Sequence, residues 1–400
     1  MRIITRTILL LSLISLLADI ASELLYPVIP VYLDSIGFSA LWIGVLEGVA
    51  NFTAGISKGY FGKWSDRTGL RLPFVKLGYL MSAVSKPLIG FFVYPIWIFF
   101  ARSLDRLGKG VRTAARDAIL SSQSTKETKA RVFGFHRGMD TLGATIGPAI
   151  ALLILLWHPG QYKTIFMLAF IPGLLSVALI FLLKEKKQPV STLGKGNFFS
   201  FFKYWRIASP GFKKLVAGLL VFAFFNSSDI FLLLKTREAT AGFSYPFLGK
   251  TLSSETITVA AYVFYNLVYA LASYPLGAMA DRFGFKTVFA GGLVVFAGVY
   301  AGFAFQPSIG MIFLLYFFYG LYAAATEGVV KAWITNFAHE KDTATAVGFY
   351  TSCESICTLA ASVIAGLLWT SAGSLYTFLI PSLVAAFTAI YFFIYIRNKA

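Results

Sequence analysis

Histidine, cysteine and charged residues are scarce in this 400-residue chain, which has 3 His, 2 Cys and 13% charged residues. The sequence contains no His-x-x-x-His pair and no phosphate-binding loop, so it does not indicate a zinc enzyme or a nucleotide-dependent enzyme. Cys353 and Cys357 lie one helical turn apart within an apolar run, where a disulfide framework has no role. We interpret both cysteines as small packing residues and expect no metal site.

Acidic residues are in the minority among the charges, with 18 Asp and Glu against 35 Lys and Arg and a formal net charge of +17. Hydrophobic residues make up 57% of the chain, 40 residues are Phe, and the mean hydropathy is +0.72. A soluble domain of this composition would leave much of its surface apolar. We therefore predict an integral membrane protein, whose spans must be helical because lipid offers the backbone no hydrogen-bond partners.

Long apolar runs, separated by charged or Pro/Gly-rich breaks, repeat along the whole sequence. A helix needs about 20 residues to cross a hydrocarbon core of about 30 Å, and about twelve runs meet that length. The predicted fold class is therefore an all-α polytopic membrane protein. The predicted spans are 8–33, 40–61, 74–94, 96–120, 130–156, 165–183, 215–234, 257–280, 288–305, 309–335, 344–369 and 375–396.

Basic residues fall mainly in alternate loops, such as those that hold Lys63, Lys126 and Arg282. The other loops, near residues 34, 94, 306 and 373, have almost none. This positive-inside pattern predicts a multi-pass protein of the cytoplasmic (inner) membrane with both termini in the cytoplasm. The positive charge then belongs to inner loops, and we expect no nucleic-acid partner. The exceptions, which flank an outer loop, are Lys235, Arg237 and Lys250.

A polar, basic stretch between residues 184 and 214 divides the chain. Within it, residues 198–206 combine six aromatic side chains with two bases, Lys203 and Arg206, a composition typical of a short helix in the membrane interface. We expect this stretch to contact membrane lipids through anionic headgroups, with a regulatory docking segment as the alternative. The predicted domains are an N-terminal six-helix bundle (1–184), a cytoplasmic interfacial linker (185–214) and a C-terminal six-helix bundle (215–400).

A charged motif occurs twice, once at Gly62 to Arg71 and again from Gly277, 215 positions later (277 − 62), to Lys286. Each copy stands where an apolar run ends. Offsets of 214 or 215 also align residues in other spans, and register kept across several spans indicates two homologous halves. Duplicated halves are a common architecture of carriers that rock around a central site. The aligned pairs are Asn51 with Asn266, Gly134 with Gly348, and Asp140 with Glu354.

Both copies have the form Gly-x-x-x-Asp-Arg-x-Gly-x-Arg/Lys, and with them the whole chain resembles a major facilitator superfamily transporter. The resemblance implies two six-helix bundles with spans one, four, seven and ten around a central cavity. It also implies that Asp66 meets the start of span eleven and Asp281 the start of span five, which closes the cytoplasmic side. The predicted gate residues are Gly62, Asp66, Arg67, Gly69, Arg71, Asp117, Gly277, Asp281, Arg282, Gly284 and Lys286.

The inner end of span four contributes one further residue to this gate. Asp117 is the expected partner of Arg71, because opposite charges complete the network around the motif. The equivalent position in the second half holds Lys331. We therefore expect a weaker charge network in the second half.

Span four is the least apolar of the twelve, because bases recur in it every three or four residues and form one stripe on a helix. A charge in the middle of a bilayer costs roughly 2.5 to 3.5 kcal/mol, so we predict that the stripe faces water, a partner or a substrate. Arg106 followed by Gly110 also resembles a span-four signature of proton-coupled members of the family. The stripe consists of Arg102, Arg106, Lys109, Arg112 and Arg116.

Acids beside these bases are the predicted proton carriers, because the arrival of a substrate charge shifts their proton affinity. Asp19 lies one turn from Glu23 in span one, and Asp140 lies one turn from His136 in span five. For Asp140, a permanent salt bridge to Arg106 or Arg137 is the alternative. The proton-coupling candidates are Asp19, Glu23, Asp140, Asp105 and Glu47.

The substrate-binding candidates combine bases of the first half with polar residues of several spans. Tyr262, Tyr265 and Tyr269 either line an aromatic wall beside them or pack at helical spacing. The candidates are Arg106, Lys109, Arg112, Arg137, His136, Asn51, Asn226, Asp229, Asn266, Glu327 and Glu354.

Small residues in span five form a predicted helix-packing motif of Gly143, Gly147 and Pro148. The motif resembles a signature of the family's antiporters, which favours export. Its glycines permit close helix packing and its proline permits a bend.

We interpret the chain as a carrier that moves a small anionic or amphipathic organic solute by alternating access, with proton-coupled efflux as the expected mode. The bases suit an anion, whereas Asp19, Glu23, His136 and Asp140 leave open a divalent metal or an organic cation. A membrane-embedded enzyme or a scaffold is disfavoured, because neither needs a duplicated charged motif. We expect no cofactor other than a proton gradient, and a monomer with a small-molecule substrate.

Overall fold

The computed structural model describes residues 3–26, 28–37, 40–158, 160–185, 190–191, 197–241, 245–247, 250–252, 254–305 and 307–395. Most of these residues lie in helices that follow the predicted spans. The helices of the first half are α1 (Arg6–Glu23), α2 (Val28–Ser35), α3 (Ala40–Thr68), α4 (Leu72–Phe91), α5 (Pro95–Ser122), α6 (Lys129–Trp157) and α7 (Tyr162–Ile180).

A short linker helix follows, made of a 3₁₀ segment (Phe198–Lys203) and α8 (Tyr204–Ile207). The second half then repeats the pattern of the first, and a 3₁₀ turn (Glu340–Asp342) leads into α14. The helices of the second half are α9 (Pro210–Ala223), α10 (Ile230–Thr240), α11 (Ser254–Phe283), α12 (Phe285–Ala304), α13 (Ile309–Phe337), α14 (Thr343–Ala372) and α15 (Ser374–Tyr395).

One small element departs from an all-α chain. Strands β1 (Tyr245–Phe247) and β2 (Lys250–Leu252) pair antiparallel, with Tyr245 opposite Leu252. They lie in the loop after α10, and of the three bases that the sequence marks here, Lys250 begins β2 while Lys235 and Arg237 lie in α10.

Seven helices of the described chain are individually long and apolar enough to cross a membrane. The helix α5 is not among them because its stripe of bases lowers its hydropathy. The first and seventh predicted spans fall short for another reason, since each consists of two shorter helices. The helices nevertheless account for twelve crossings in two groups of six.

The prediction of continuous helices in spans one and seven is wrong, and the same kind of interruption occurs in both halves. The first break separates Glu23 from Val28, and the sequence there includes Pro27. Proline disfavours helical backbone in the residue before it. The second break separates Ala223 from Ile230. It contains Asn226 and Asp229, whose side chains compete for backbone hydrogen bonds.

The two bundles pack closely against each other through glycines at the end that carries the repeated motif, here called the gate end. A Cβ atom added to Gly62 would lie 2.4 Å from the carbonyl oxygen of Ala344, and one added to Gly277 would lie 2.4 Å from that of Ala130. A Cβ atom does not fit at these distances, so only the hydrogen atom of glycine can occupy each position. The contacts join α3 to α14 and α6 to α11, so the gate end is closed.

Gly134 in α6 gives a direct test of this packing. A Cβ atom there would lie 2.3 Å from the carbonyl oxygen of Ser273 in α11. We expect Gly134→Val to hold the gate end open and to abolish transport, because the clash is with backbone that cannot rotate away. Gly291→Val is the matched control, since no atom lies within 4 Å of a Cβ atom added at Gly291. Equal transport by the two variants would contradict the expectation.

Within the first bundle, the predicted helix-packing motif lies against α1. A Cβ atom on Gly143 would lie 2.7 Å from the carbonyl oxygen of Leu16, and one on Gly147 would lie 2.7 Å from the amide nitrogen of Leu24. Pro148 lies within α6 without ending it. The motif therefore brings α6 against the part of α1 that carries Asp19.

Candidate functional site

A cavity of about 260 Å³ opens between α9, α12, α13 and α14, in the middle of the second bundle. Its wall combines apolar side chains with carboxylates, an amine and hydroxyl groups. Four of the predicted substrate-binding and gate-equivalent positions meet here: Asn226, Glu327, Lys331 and Glu354. The full lining is Leu219, Phe222, Ala223, Asn226, Phe289, Tyr322, Thr326, Glu327, Val330, Lys331, Tyr350, Glu354 and Thr358.

The three charged residues of the cavity each face an opposite charge from the first bundle. Glu327 forms an ion pair with Arg137 of α6. Lys331 lies 3.0 Å from a carboxylate oxygen of Asp117 in α5. Glu354 interacts electrostatically with Lys58 of α3. The cavity is therefore the place where the charges of the two bundles balance each other.

Arg137 is the most accessible of these partners. Its Nε donates a 2.6 Å hydrogen bond to the hydroxyl of Tyr269, and its guanidinium lies 5.5 Å from the centroid of the same ring. The side chain of Arg137 is 30% exposed and that of Glu327 is 45% exposed. A solute that enters the cavity can therefore reach both members of the pair.

Behind Arg137 lies a buried polar network built on Asp140. Its carboxylate lies 3.7 Å from Arg116, 3.8 Å from Arg137 and 3.7 Å from Nε2 of His136. Nδ1 of His136 lies 3.2 Å from the hydroxyl of Ser12. Of the two bases that the sequence offered to Asp140, Arg137 is near it and Arg106 is not. Arg116, which the sequence placed in the stripe only, is the partner that it missed.

Arg106 pairs instead with Asp105, at 3.5 Å, in a second buried cluster. The carboxylate of Asp105 also lies 2.5 Å from Lys86 of α4 and 3.5 Å from Arg102. Lys86 donates a further hydrogen bond of 2.9 Å to Ser22. The sequence analysis overlooked Lys86, although a lone lysine in an apolar run signals a buried partner. Asp105 is thus held by three bases.

Asp19 and Glu23 of α1 lie near Lys109 of α5. Asp19 interacts electrostatically with Asp140, Lys109 and Glu23. Lys109 in turn interacts with both of these α1 acids. The side chains of two other candidates, Glu47 and Asn51, lie outside the described part of the structure.

Arg112 does not face the cavity. Its guanidinium donates a 2.6 Å hydrogen bond to Ser82 of α4 and lies 4.3 Å from the centroid of the Tyr79 ring. Both partners are on α4, and Arg112 is buried. The stripe of bases therefore faces the interior of the protein, but its members have different surroundings.

Tyrosine hydroxyls bind most polar candidates of the second half. Tyr319 donates a 2.7 Å hydrogen bond to Asp229, and Tyr350 donates one of the same length to Glu354. The amide of Asn226 donates to the hydroxyl of Tyr322 at 3.2 Å.

The remaining candidate of the second half, Asn266, bonds within its own helix, to the carbonyl oxygen of Tyr262 at 3.0 Å. In the same helix, the rings of Tyr265 and Tyr269 stack with centroids 6.1 Å apart. The tyrosines that the sequence marked as a wall therefore pack and also bind polar groups.

At the gate end, Asp66 binds the start of α14. One carboxylate oxygen accepts hydrogen bonds from the amide nitrogen and the hydroxyl of Thr345, at 2.7 and 2.9 Å. Arg71 lies 3.3 Å from the other oxygen and donates a 2.9 Å hydrogen bond to the carbonyl oxygen of Glu340. Gly69 has a φ of +67°, which lets the chain turn from α3 into α4.

The expectation that Asp117 pairs with Arg71 is wrong. Asp117 pairs with Arg116 at 3.1 Å and with Lys331 at 3.0 Å. Arg71 reaches Asp66 because the turn at Gly69 folds the chain back onto the end of α3. The side chain of Asp117 lies beside Lys331 of α13, and Arg71 reaches only the neighbouring carbonyl oxygen of Ala118, at 3.2 Å.

Asp281 binds the start of α6 in the same way. Its two oxygens accept hydrogen bonds from the amide nitrogens of Ala130 and Arg131, at 2.9 and 3.0 Å, and Nε of Arg131 adds another of 3.0 Å. Lys286 does not join this contact, because it donates to the carbonyl oxygen of Phe393 in α15. Gly284 has a φ of +92° at the turn between them. The carboxylate of the second copy therefore pairs with Arg131 of the other bundle and not with the basic residue of its own motif.

The two arginines that follow the motif carboxylates lie away from these contacts. Arg282 lies 5.1 Å from the centroid of the Phe283 ring, and Arg67 is half-buried.

Removal of the Asp66 carboxylate should open the gate end. We expect Asp66→Ala to shift the equilibrium toward the gate-open form by about 10-fold or more, because each hydrogen bond to a charged group contributes about 1.5 to 3 kcal/mol. The accessibility of cysteines introduced near the gate measures the shift, and unchanged accessibility would contradict the expectation. Arg67→Gln is the control, because it changes a neighbouring charge without touching Thr345.

Comparisons with known proteins agree on one family. The family model described as Major Facilitator Superfamily matches residues 11–252 and 231–400. An uncharacterised MFS-type transporter of Methanocaldococcus jannaschii is 32% identical over 384 residues, which cover 96% of this chain and 93% of that protein. Multidrug resistance protein 1 of Bacillus subtilis is 24% identical over 55% of this chain and 53% of its own length.

Solved structures show the same fold at low identity. FucP, a transporter of this superfamily crystallised in the outward conformation, aligns with a TM-score of 0.79 and 14% identity over 100% of both chains. The human organic anion transporter MFSD10 aligns with a TM-score of 0.74 and 16% identity, over 97% of this chain and 99% of that one. The solved structures thus show the fold, and the family model and the relative from Methanocaldococcus jannaschii show the family.

Proposed function

The chain belongs to the major facilitator superfamily and is a secondary transporter rather than an enzyme, and from this premise we propose that it exports a small amphipathic organic solute in exchange for protons. One observation carries the proposal: each charged residue of the cavity faces an opposite charge from the other bundle. Solute and proton then act on the same charges that hold the bundles together.

These pairs link occupancy of the cavity to movement of the bundles. When the gate end opens, α13 must separate from α5 and α6, and the pairs Asp117–Lys331 and Arg137–Glu327 must part. Buried charges that lose their partners are costly. A solute group or a proton that replaces the lost partner removes this cost, so only a loaded carrier changes state readily.

The cavity wall suits a solute with an apolar body and a polar head. Leu219, Phe222 and Val330 provide the apolar surface. Glu327 and Glu354 lie on the same wall, where they can accept hydrogen bonds from a head group. A volume of about 260 Å³ fits a small organic molecule.

Competition between a proton and the solute for Glu327 would make transport an exchange of one for the other. A proton on this carboxylate removes the charge that a hydroxyl or amine head binds, so proton and solute exclude each other. Because binding linkage is reciprocal, each ligand weakens the binding of the other. The carrier then holds the solute in one half of the cycle and a proton in the other half. Relatives named for multidrug resistance support export as the direction.

An organic anion is the second candidate, because Arg137 and Lys331 are 30% and 20% exposed beside the cavity. An anion competes with Glu327 for Arg137 and therefore favours a protonated Glu327. Anion and proton would then bind together and move in the same direction. The pH dependence of binding thus separates the two candidates.

A thermal-shift panel in detergent tests the proposal with one aromatic body that carries a hydroxyl, a quaternary ammonium or a sulfonate head. We expect the first two to stabilise the protein more at a higher pH than at a lower pH, since binding of a ligand to the native state raises its stability. Stabilisation by the sulfonate alone, and more strongly at the lower pH, would overturn export by exchange. Stabilisation by metal ions alone would overturn an organic solute.

The metal alternative has little support, since no three His, Cys, Asp or Glu side chains of the described ranges lie close enough to hold an ion. The placement of the gate end in the cytoplasm rests on the positive-inside pattern. With it we propose a monomer in the cytoplasmic membrane with both termini inside.

A further inference from the structure

The linker helix (Phe198–Ile207) lies across the gate end and contacts α3 of the first bundle. The ring of Phe198 stacks on Tyr60 with centroids 4.9 Å apart. The ring of Phe201 fills the space beside Gly59, where an added Cβ atom would lie 2.5 Å from it. Nζ of Lys63 donates a 2.9 Å hydrogen bond to Ser200. One face of the linker helix is thus fixed to α3.

The same helix contacts α14 of the second bundle through a single aromatic ring, that of Phe349. Trp205 stacks on this ring with centroids 5.8 Å apart and an interplanar angle of 23°. Phe202 and Tyr204 lie 6.1 and 6.3 Å from it. The hydrogen bonds between Asp66 and Thr345 join α3 to α14 at the gate end. The linker helix therefore contacts the same two helices.

The opposite face of the linker helix is exposed and has a mixed character. Phe199 and Ile207 are 58% and 60% exposed. Lys203 and Arg206 are exposed between them. The sequence from residue 197 to residue 214 has bases and no acid. Aromatic and aliphatic side chains interleaved with bases are the pattern of a helix that lies on an anionic bilayer surface.

We propose that the linker helix binds anionic lipid headgroups through Lys203 and Arg206 and thereby holds the gate end closed. The two exposed apolar side chains enter the lipid interface, while the inner face keeps its contacts with α3 and α14. When α3 and α14 separate, the helix must give up either Phe349 or its place on the membrane. Anionic lipid therefore biases the carrier toward the gate-closed state. This inference does not depend on which solute is carried.

The test uses the full chain in liposomes of phosphatidylcholine with an increasing share of phosphatidylglycerol. Spin labels on Ser122→Cys and His339→Cys, at the gate ends of the two bundles, report opening in a Cys353→Ser/Cys357→Ser background. We expect phosphatidylglycerol to lower the gate-open population. The variant Lys203→Gln/Arg206→Gln should weaken this lowering by up to about fivefold for each base that it removes. Lys126→Gln/Lys163→Gln removes two exposed bases elsewhere and should leave the effect unchanged.

Three outcomes overturn the inference. The first is a response to phosphatidylglycerol that survives Lys203→Gln/Arg206→Gln. The second is an equal loss in the control variant, which would indicate a general charge effect. The third is the same response to soluble inorganic phosphate, which would indicate a free anion rather than a lipid surface. A thermal unfolding curve of each variant confirms that the fold is kept.

Discussion

Asp105→Asn is expected to lower the free energy of unfolding by about 3 to 5 kcal/mol, the cost of leaving a buried ion pair without one partner. The carboxylate of Asp105 lies within 3.5 Å of Lys86, Arg102 and Arg106. Without it, three positive charges would face each other inside the first bundle. Thermal unfolding of the purified protein in detergent measures the loss, together with its yield from membranes.

Asp19→Asn is the matched control for this prediction. Asp19 is flanked by two acids, Asp140 and Glu23, and by Lys109. Loss of its charge therefore removes repulsion from the acids as well as attraction to the lysine. We expect a change below about 1 kcal/mol. If the two variants unfold alike, the cluster at Asp105 is not the main charge balance of the bundle. In that case Asp105 becomes a candidate for proton coupling. We do not expect this role, because three bases surround its carboxylate.

Glu327→Gln is expected to reduce proton-driven accumulation of solute about 5- to 150-fold, the range of a typical coupling free energy between two ligands. The amide cannot take up a proton and cannot hold Arg137 as an ion pair. Exchange of labelled for unlabelled solute across the membrane should fall less than accumulation, because exchange needs no proton and the oxygen of the Gln amide can still accept a hydrogen bond from the solute. Proteoliposomes with an imposed pH gradient measure the first activity, and the same liposomes without the gradient measure the second.

The control is Glu238→Gln, which removes an exposed acid that lies 3.6 Å from Lys235 in α10. Its accumulation should match that of the unchanged protein. Full accumulation by Glu327→Gln would mean that protons move through another acid, and Asp140 is the next to test. Loss of both activities would instead indicate a role for Glu327 in binding the solute alone.

The sequence predicted those features that depend on pattern. The positions of the spans follow from hydropathy. The contacts of Asp66 with α14 and of Asp281 with α6 were implied by the resemblance of the repeated motif to the family's signature. The helix breaks were missed, because hydropathy does not change where a helix stops inside the membrane. The proline at position 27 and the polar run before Ile230 were the signals available.

Pairing between charges was harder to predict than their position. The sequence did not indicate the partners of Lys86 and Lys58, because each lies in an apolar run with no acid within one helical turn of it. The partner of Arg71 was misassigned, because the reach of a long side chain depends on the turn before it. One carboxylate can also choose among several nearby bases, and only the packing of α4, α5 and α6 decides which base is near.

The contact between Asp117 and Lys331 bears on the history of the chain. These residues occupy the same position in the two halves, 214 residues apart (331 − 117), and they touch each other across the plane between the bundles. In an assembly of two identical subunits, a residue at such a place meets its own copy, and two equal charges would repel. Opposite charges at one site need two genes or one fused gene. This ion pair is therefore a feature that a dimer of two identical subunits cannot encode.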